Sequence, residues 1–437
     1  MPELSITMKS LYEIFREYTL ISTDSRNISP GCIFFALKGP NFNGNTFSEK
    51  ALSLGASYVV IDEPEYKKDE RYVIVEDVLK ALQDLALEHR KQINIPVLAI
   101  TGSNGKTTTK ELIRNVLAKK FNTLATIGNL NNHIGVPLTI LSITKETEFA
   151  VIEMGANHLK EIESYCKIAE PDYGLITNVG KAHLEGFGGF EGVKKGKGEL
   201  YEWIKKKGKG VFLNNDNPLL ISMAGTFKIP QVIRYGTGDS FYCSGTLLGE
   251  RPFLTLQWKS EGRLGHINSQ LTGAYNFENI LSAISVGNYF GVSATNIKDA
   301  IESYRPDNSR SQLVKKGSNT IILDAYNANP TSMEAALTNF AKLEIKNRVV
   351  FLGDMAELGE ESDAEHKRIT GMLKKAHYTR VILVGKNFGK FKEELDCIYF
   401  DDSEKAAEWV KTNPLTNTTI LIKGSRSTKM EKVFEAI

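Results

Sequence analysis

The sequence lacks the features that mark several large classes of protein. It has only 4 cysteines, which form no CxxC pair, so we expect small core side chains in a reducing compartment: Cys32, Cys166, Cys243 and Cys397. The 54 basic and 52 acidic residues nearly balance, which gives no sign of a nucleic-acid partner. No apolar run approaches a membrane span and no signal pattern opens the chain, so we expect a cytoplasmic protein without stable membrane insertion.

The 437 residues exceed what one hydrophobic core usually organises, so several domains are expected. Short apolar strands and helices alternate irregularly before Pro96. After it, the order of buried strand, glycine turn and helix predicts a parallel sheet with helices on both faces. Residues 240–270 alternate polar and apolar side chains, which favours an antiparallel appendage. From residue 305 onward, further strand–helix repeats predict a second, smaller doubly wound sheet.

We therefore predict an α/β fold with three domains. Residues 1–93 form a mixed α/β domain, residues 94–305 a central P-loop ATPase-like parallel sheet, and residues 306–437 a doubly wound, Rossmann-like domain.

The stretch AITGSNGKTTTKELI (99–113) places a glycine-containing turn between an apolar strand and a helix. Backbone N–H groups and the positive end of the helix then converge on one point, which makes an anion site. The loop is shorter than the common form of the motif, because Ile100 stands where a glycine is usual. Lys106 would reach the terminal phosphates, and Thr107 would offer its hydroxyl to magnesium. We predict that the nucleotide-binding residues include Gly102, Ser103, Asn104, Gly105, Lys106, Thr107 and Thr108.

Three more residues are candidates for chemistry near this loop. Glu153 ends the predicted strand 149–154, and His183 follows the strand predicted to end at residue 179. A carboxylate buried at a strand end is costly unless it is paired or metal-bound, so we favour magnesium ligation over a structural role. Histidine is an unusual magnesium ligand. Lys197 lies in VKKGKGELYEW, either at the solvated start of a basic helix or as a buried lysine, whose neutral amine could form a carbamate.

Several motifs together resemble the Mur ligase family of peptidoglycan synthesis, over nearly the whole chain. They are TGSNGKTT, NLNNHIGVP, VIEMGANH, NVGKAHLEGFG, KGELY, TGAYNFEN, LDAYNANP, GDMAELG and LIKGSRS. The resemblance implies domains for a UDP-sugar, for ATP and for the incoming amino component. It also implies an ATP- and Mg²⁺-dependent ligase, expected to be a monomer, that joins D-alanyl-D-alanine to UDP-N-acetylmuramoyl-tripeptide through an acyl phosphate.

The same resemblance implies roles for individual residues. The residues that resemble the uridine-nucleotide site are Thr23, Asp24, Ser25, Arg26 and Lys38. The residues that resemble contacts to the muramoyl peptide or the incoming dipeptide are Asn131, Asn132, His133, Tyr326, Asn327, Lys423, Ser425 and Arg426. Further ATP contacts would be Asn276, Asn279, Arg310 and Asp324. The catalytic residues would be Lys106, His183 and Lys197, and the metal ligands Thr107, Glu153, His183 and, if carbamylated, Lys197.

Two alternatives stay open at this stage. The first is another ligase of the same family, which would add a single amino acid to a shorter UDP-peptide. The second is a P-loop nucleotide switch or binding protein, which would need a guanine-reading NKxD stretch that the sequence does not contain. A catalytically inactive scaffold is disfavoured, because every matched position keeps its chemical type.

Overall fold

The computed structural model describes residues 8–229, 231–306 and 309–437. The N-terminal unit contains a parallel sheet with the strand order β1-β2-β5-β6 and a short antiparallel hairpin, β3-β4. Apart from the partly buried Tyr58, the central strands β2 and β5 consist of buried apolar side chains, as expected where helices or loops cover both faces. Its elements are α1 (Met8–Glu17), β1 (Ile21–Ser22), β2 (Ile33–Phe35), β3 (Lys38–Gly39), β4 (Phe42–Asn43), α2 (Ser48–Ser53), β5 (Tyr58–Ile61), β6 (Tyr72–Ile74) and α3 (Val78–Lys91).

The central unit is built on a nine-stranded sheet with the order β15-β14-β13-β12-β11-β10-β7-β9-β8. Its first elements are β7 (Val97–Thr101), α4 (Lys106–Leu117), β8 (Thr123–Ala125), α5 (Gly135–Leu141), β9 (Phe149–Glu153), α6 (Glu161–Ala169), β10 (Tyr173–Ile176), α7 (Leu184–Phe187) and α8 (Phe190–Lys207). The remaining elements are β11 (Gly210–Asn214), α9 (Pro218–Phe227), β12 (Val232–Gly236), β13 (Cys243–Gly249), β14 (Thr255–Ser260), β15 (Arg263–Asn268), α10 (Asn276–Tyr289) and α11 (Ala294–Ser303).

The C-terminal unit is a six-stranded sheet with the order β16-β17-β21-β18-β19-β20, parallel except for β16. It comprises β16 (Gln312–Lys316), β17 (Asn319–Asp324), α12 (Pro330–Ala341), β18 (Arg348–Gly353), α13 (Ser362–Lys375), β19 (Arg380–Val384), α14 (Lys386–Gly389), β20 (Ile398–Phe400), α15 (Ser403–Thr412), β21 (Thr419–Lys423) and α16 (Glu431–Ala436). The α/β class with three domains is thus confirmed, whereas three details of the sequence interpretation need correction.

The antiparallel strands within 240–270 are not a separate appendage. Cys243 and Ser244 pair in parallel with Tyr235 and Gly236, so β13 to β15 extend the main sheet at one edge. The strand expected to end at residue 179 stops at Ile176, and the following residues form a loop beside the phosphate loop. The run VKKGKGELYEW lies inside α8, which already begins at Phe190, so it is not a helix start.

Two global expectations can be compared with the fold. Among the cysteines, Cys32, Cys166 and Cys243 are buried and Cys397 is half-buried, and all four are free thiols. Within the described part of the chain, no helix combines the length and the apolar character needed to span a membrane.

Candidate active site

A cleft of about 710 Å³ opens where the carboxyl ends of the central strands face the C-terminal unit. Ligand sites in open α/β sheets lie at this edge. The cleft brings together many of the predicted residues, namely Ser103, Asn104, Gly105, Lys106, Thr108, Asn131, Asn132, His133, Glu153, His183, Asn276, Asn279, Arg310, Asp324, Tyr326, Asn327 and Lys423.

The turn between β7 and α4 has the backbone geometry of a phosphate loop. Gly102 (φ +147°) and Gly105 (φ +79°) adopt conformations that side chains strongly disfavour. A Cβ on Gly102 would lie 2.0 Å from Thr177 Oγ1, so this position has no room for a side chain. Lys106 Nζ folds back onto the loop and donates a hydrogen bond to Gly102 O at 2.7 Å. The loop therefore places Lys106 at the cleft, at the N-terminus of α4.

Residues that follow the neighbouring strand β10 hold the phosphate loop in place. The sequence analysis did not identify them. Thr177 Oγ1 and Asn178 Nδ2 donate to Asn104 O at 2.6 and 3.0 Å, and Asn178 Oδ1 accepts the N–H of Asn104. Ser103 Oγ donates to Gly180 O and accepts from its N–H. Polar residues directly after β10, the neighbour of β7 in the sheet, were the signal that could have identified this contact.

Glu153 is the centre of a buried polar cluster at the end of β9. Its side chain is only 1% exposed, and its Oε1 accepts hydrogen bonds from Thr107 Oγ1 at 3.1 Å and Asn131 Nδ2 at 2.7 Å. Its Oε2 has no hydrogen-bond partner among the described residues, and Lys110 Nζ lies 3.7 Å away. A buried carboxylate oxygen without a partner, beside a threonine hydroxyl and a phosphate loop, fits the oxygen-ligand preference of Mg²⁺.

Two lysines of the site have lowered pKa values. Burial lowers the pKa of Lys106 to about 8, with Glu153 opposing the shift and Arg310 adding to it. Lys197 is 1% exposed, and its Nζ lies 3.4 Å from the Ala156 carbonyl oxygen. Burial, reinforced by the positive charge of Lys106, holds the pKa of Lys197 well below its usual value. The solvated interpretation of Lys197 is therefore wrong, and the neutral amine that a carbamate requires is favoured.

His183 connects the two units that form the cleft. It has a left-handed backbone (φ +53°), immediately before α7, and it lines the cleft. Its Nδ1 contacts the carboxylate of Glu357, which belongs to the C-terminal unit. The imidazole of His183 beside it is the main cause that lowers the pKa of Glu357. The sequence analysis named His183 but not this partner.

The C-terminal wall of the cleft carries a cation stacked on an aromatic ring. The guanidinium of Arg310 lies 3.7 Å from the ring centroid of Tyr326, and its buried Nε has no hydrogen-bond partner among the described residues. Lys423 is 1% exposed and pairs with Asp324, and its Nζ also donates to Asn327 O at 3.3 Å. The Arg310 side chain is thus positioned for an anion, whereas Lys423 is already neutralised by a neighbouring carboxylate.

The asparagines of the central wall also make structural contacts. Asn279 Oδ1 accepts from Thr109 Oγ1 at 3.0 Å, and its Nδ2 donates to Asn276 Oδ1 at 2.8 Å. A Cβ on Gly105 would lie 2.7 Å from Asn279 Oδ1, so Asn279 packs directly against the phosphate loop. Asn132 accepts hydrogen bonds from two backbone N–H groups at the start of α5. The carbonyl of His133 accepts from Gln83 Nε2 of the N-terminal unit at 3.1 Å.

Several predicted residues lie outside the cleft lining. Gly102, Thr107 and Lys197 lie directly behind it, in contact with residues that line it. The N-terminal set does not line the cleft: Thr23, Asp24, Ser25, Arg26 and Lys38. Within this unit, Arg26 is bonded to Asp24, and Lys38 pairs with Asp62. Ser425 is buried, whereas Arg426 is exposed and lies 6.0 Å from the Tyr326 ring.

Helix α12 brings a further contact to the phosphate loop, which sequence reasoning did not find. Asn329 caps this helix, and its Nδ2 donates to Asn104 Oδ1 at 2.8 Å. Nearby, Thr331 Oγ1 accepts the N–H of Lys181, and the ammonium of Lys181 pairs with Glu365 at 2.5 Å. The C-terminal unit is thus fastened to the loop edge of the central sheet by polar contacts.

A phosphate loop, a buried carboxylate beside it and a second α/β unit that closes the cleft define a multidomain P-loop nucleotide-binding enzyme. Residues 17–100, 100–287 and 309–426 match the families described as Mur ligase family, catalytic domain; Mur ligase middle domain; and Mur ligase, glutamate ligase domain. The chain belongs to the Mur ligase family.

Individual relatives are similar over nearly their whole length. The chain is 34% identical to UDP-N-acetylmuramoyl-tripeptide--D-alanyl-D-alanine ligase of Escherichia coli (strain K12), over 99% of this chain and 98% of that protein. It superposes on a crystal structure of MurF from Acinetobacter baumannii with a TM-score of 0.87, at 30% identity, covering 100% and 99% of the two chains. MurF from Thermotoga maritima in complex with ADP gives a TM-score of 0.83 at 26% identity, with 95% and 96% covered.

Proposed function

We propose that this chain is an ATP-dependent ligase that joins D-alanyl-D-alanine to UDP-N-acetylmuramoyl-tripeptide, with release of ADP and phosphate. One observation carries the proposal. The phosphate loop, Glu153 and Arg310 line one cleft between two units, and Glu153 Oε2 and Arg310 Nε have no hydrogen-bond partner in the described part of the chain. The similarity to ligases of this name over nearly the whole chain supports the choice of substrates.

The reaction needs activation, because forming an amide from a free carboxylate in water is uphill. A carboxylate oxygen of the tripeptide attacks the γ-phosphorus of ATP, and the bond from that phosphorus to ADP breaks. The amine of D-alanyl-D-alanine then attacks the acyl carbon, loses a proton, and phosphate leaves. Positioning and charge neutralisation dominate phosphoryl transfer, so Lys106 and Arg310 would stabilise charge on the transferred group.

We propose that the cleft also holds magnesium. Thr107, Glu153 and His183 would hold it, together with Lys197 as a carbamate. When bound, the ion neutralises phosphate charge and polarises the phosphoryl oxygens. Burial of Lys197 near the positive charge of Lys106 supports its carbamylation, since this environment lowers the pKa of the amine and so favours its neutral form.

We assign the other predicted residues by unit. Residues 1–93 would bind the uridine nucleotide through Thr23–Arg26 and Lys38, residues 94–305 would bind ATP, and residues 306–437 would bind the incoming dipeptide. Asn131, Asn132 and His133 would face the muramoyl peptide. Tyr326 and Asn327 would face the substrate, and Lys423, Ser425 and Arg426 would receive the carboxylate of the dipeptide. We propose a monomer, and the use of ATP supports a cytoplasmic location.

The test is an ADP-release assay that combines ATP and magnesium with two UDP-muramoyl-tripeptides, carrying diaminopimelate or lysine at the third position. Each is offered D-alanyl-D-alanine or a single amino acid. We expect ADP release that depends on both the tripeptide and D-alanyl-D-alanine. Lys106→Ala should abolish it, because the loop then lacks the cation that faces the γ-phosphate.

The matched control is Lys119→Ala, a lysine just after the end of the same helix α4, which should leave turnover unchanged. Turnover retained by Lys106→Ala would contradict the assignment. Ligation of single amino acids in preference to the dipeptide would favour another activity of the family.

A further inference from the structure

The loop after β18 has no part in the function proposed above, although its sequence GDMAELG is distinctive. It carries Glu357 from the C-terminal unit to the central unit, where the carboxylate contacts His183 Nδ1. The carbonyl of Glu357 also accepts a hydrogen bond from the N–H of Glu185 at 3.3 Å, in the first turn of α7. A single residue of the C-terminal unit therefore holds both the side chain of His183 and the backbone that follows it.

This loop is fixed from behind, independently of His183. The carboxylate of Asp354 accepts two backbone N–H groups at the start of α14, both at 2.9 Å. The fully buried His366 accepts the N–H of Met355 at 3.0 Å through Nε2, because its Nδ1 donates to the carbonyl of Ser362 at 2.7 Å. The loop that carries Glu357 is therefore held by its own hydrogen bonds within the C-terminal unit.

The contact determines which nitrogen of His183 is free. A neutral imidazole carries its proton on one nitrogen and accepts on the other, and a carboxylate beside Nδ1 favours the proton there. Nε2 then keeps its lone pair in a side chain that lines the cleft. A carboxylate behind a histidine is the arrangement that orients metal-binding imidazoles in proteins.

We propose that Glu357 is a positioning residue that fixes the ring orientation and the tautomer of His183, so that the metal ligands of the central unit are complete only when the C-terminal unit is docked. The proposal rests on the metal-ligand role of His183 under the proposed function. It gives the loop Met355–Gly359 of the C-terminal unit a role in assembling a site whose ligands all belong to the central unit.

Mn²⁺ binding in the presence of saturating ADP, followed by the electron paramagnetic resonance signal of free Mn²⁺, tests this directly. Glu357→Leu keeps the bulk but removes the acceptor, and we expect Mn²⁺ affinity to fall by about tenfold or more. The Mn²⁺ affinity of Glu357→Gln should lie between those of Glu357→Leu and the wild type, because the amide oxygen can still accept a hydrogen bond from His183. Glu360→Gln is the matched control on the same segment, and its affinity should equal that of the wild type.

A second measurement separates positioning from a general structural role. In ¹⁵N spectra of histidine-labelled protein, with the signal assigned by His183→Gln, the wild type should carry the proton on Nδ1. Glu357→Leu should shift this signal toward a mixture of tautomers, at an unchanged melting temperature. If the Leu variant keeps both the wild-type tautomer and the wild-type Mn²⁺ affinity, this inference alone is overturned. If the wild type binds ADP but no Mn²⁺, both the metal assignment of the proposed function and this inference are contradicted.

Discussion

Burial determines the chemistry of individual lysines in this site. Lys106 has a pKa of about 8, lowered by burial, but it faces the place where phosphates would bring negative charge and restore its proton. Lys197 lies behind the cleft lining, and its Nζ is 3.4 Å from the Ala156 carbonyl oxygen and 5.3 Å from the ring centroid of Phe187. We therefore expect Lys106 to be charged when the substrate is bound, and Lys197 to favour the neutral form.

Turnover should depend on carbon dioxide if Lys197 is used as a carbamate. Burial holds its pKa well below the usual value of 10.5, so the neutral, nucleophilic amine is more populated than in an exposed lysine. We expect ADP-releasing turnover to fall in CO₂-depleted buffer and to return with added bicarbonate. Protein equilibrated with ¹³C-bicarbonate should show a carbamate carbon signal. Lys197→Arg should lack both responses, and bicarbonate-independent turnover without this signal would contradict carbamylation.

Single residues could be predicted from the sequence where the motif itself supplies the chemistry. Lys106 begins the helix after β7 and Glu153 ends β9, so their positions at the cleft need only the local order of strand, turn and helix. Asn178, Asn329 and Glu357 could not be found in this way. Their partners lie 74, 225 and 174 positions away in the chain, and only the packing of strands and domains brings them together.

At the scale of elements, helix α12 links the C-terminal unit to the phosphate loop. Its cap Asn329 accepts the N–H of Ser332 with its Oδ1, while its Nδ2 holds Asn104. The loss of such a cap costs about 1 kcal/mol of stability. Here the same side chain also fixes the tip of the loop, so stability and nucleotide binding are coupled at one residue.

Asn329→Ala should therefore lower both stability and ADP affinity. We expect a loss of about 1 kcal/mol in the free energy of unfolding, measured by denaturant titration, and a several-fold rise in the Kd for ADP, measured by calorimetry. Asp402→Ala is the matched control, because Asp402 caps α15 in the same unit by accepting the N–H of Lys405. It should lose similar stability at unchanged ADP affinity. Equal ADP affinity in both variants would contradict a role for α12 in holding the loop.

Long, apolar elements could be predicted from sequence, whereas short ones and their neighbours could not. Strands β7 and β9 each have five buried residues, and such runs strongly indicate strands of a parallel sheet. Strand β8 has only 3 residues, none of them fully buried, and its pairing with β9 depends on the sheet already being present. The alternation within 240–270 predicts antiparallel pairing correctly, but pattern alone does not specify that β13 joins β12.

At the scale of the whole molecule, polar contacts dock the C-terminal unit onto the loop edge of the central sheet. One of these is at Glu365, whose side chain is 4% exposed and bonds to Lys181 and Arg368. Burial opposes the charged form of Glu365, but the ion pairs with these two cations outweigh it and lower its pKa. Since Lys181 belongs to the central unit, this carboxylate joins the two units electrostatically.

Lys181→Met should loosen this docking. Glu365 would remain buried with one cation fewer, at a cost of roughly 1–2 kcal/mol, between that of an exposed and a fully buried pair. We expect the thermal unfolding of the C-terminal unit to shift down and the radius of gyration in X-ray scattering to rise without nucleotide. Lys390→Met is the matched control, since Lys390 pairs with the exposed Asp363 on the same helix α13. It should change neither quantity.

The same ion pair predicts a pH dependence with a defined sign. Because the folded pKa of Glu365 lies below the ordinary 4.5, its stabilisation is fully present above that pH and is lost as the pH falls through the folded value. The wild type should therefore undock on acidification, while Lys181→Met should show a smaller change over the same pH range. Identical acid profiles for the two proteins would mean that docking depends on other contacts. The contacts of Asn329 and Glu357 would then be tested next, because both residues join the same two units.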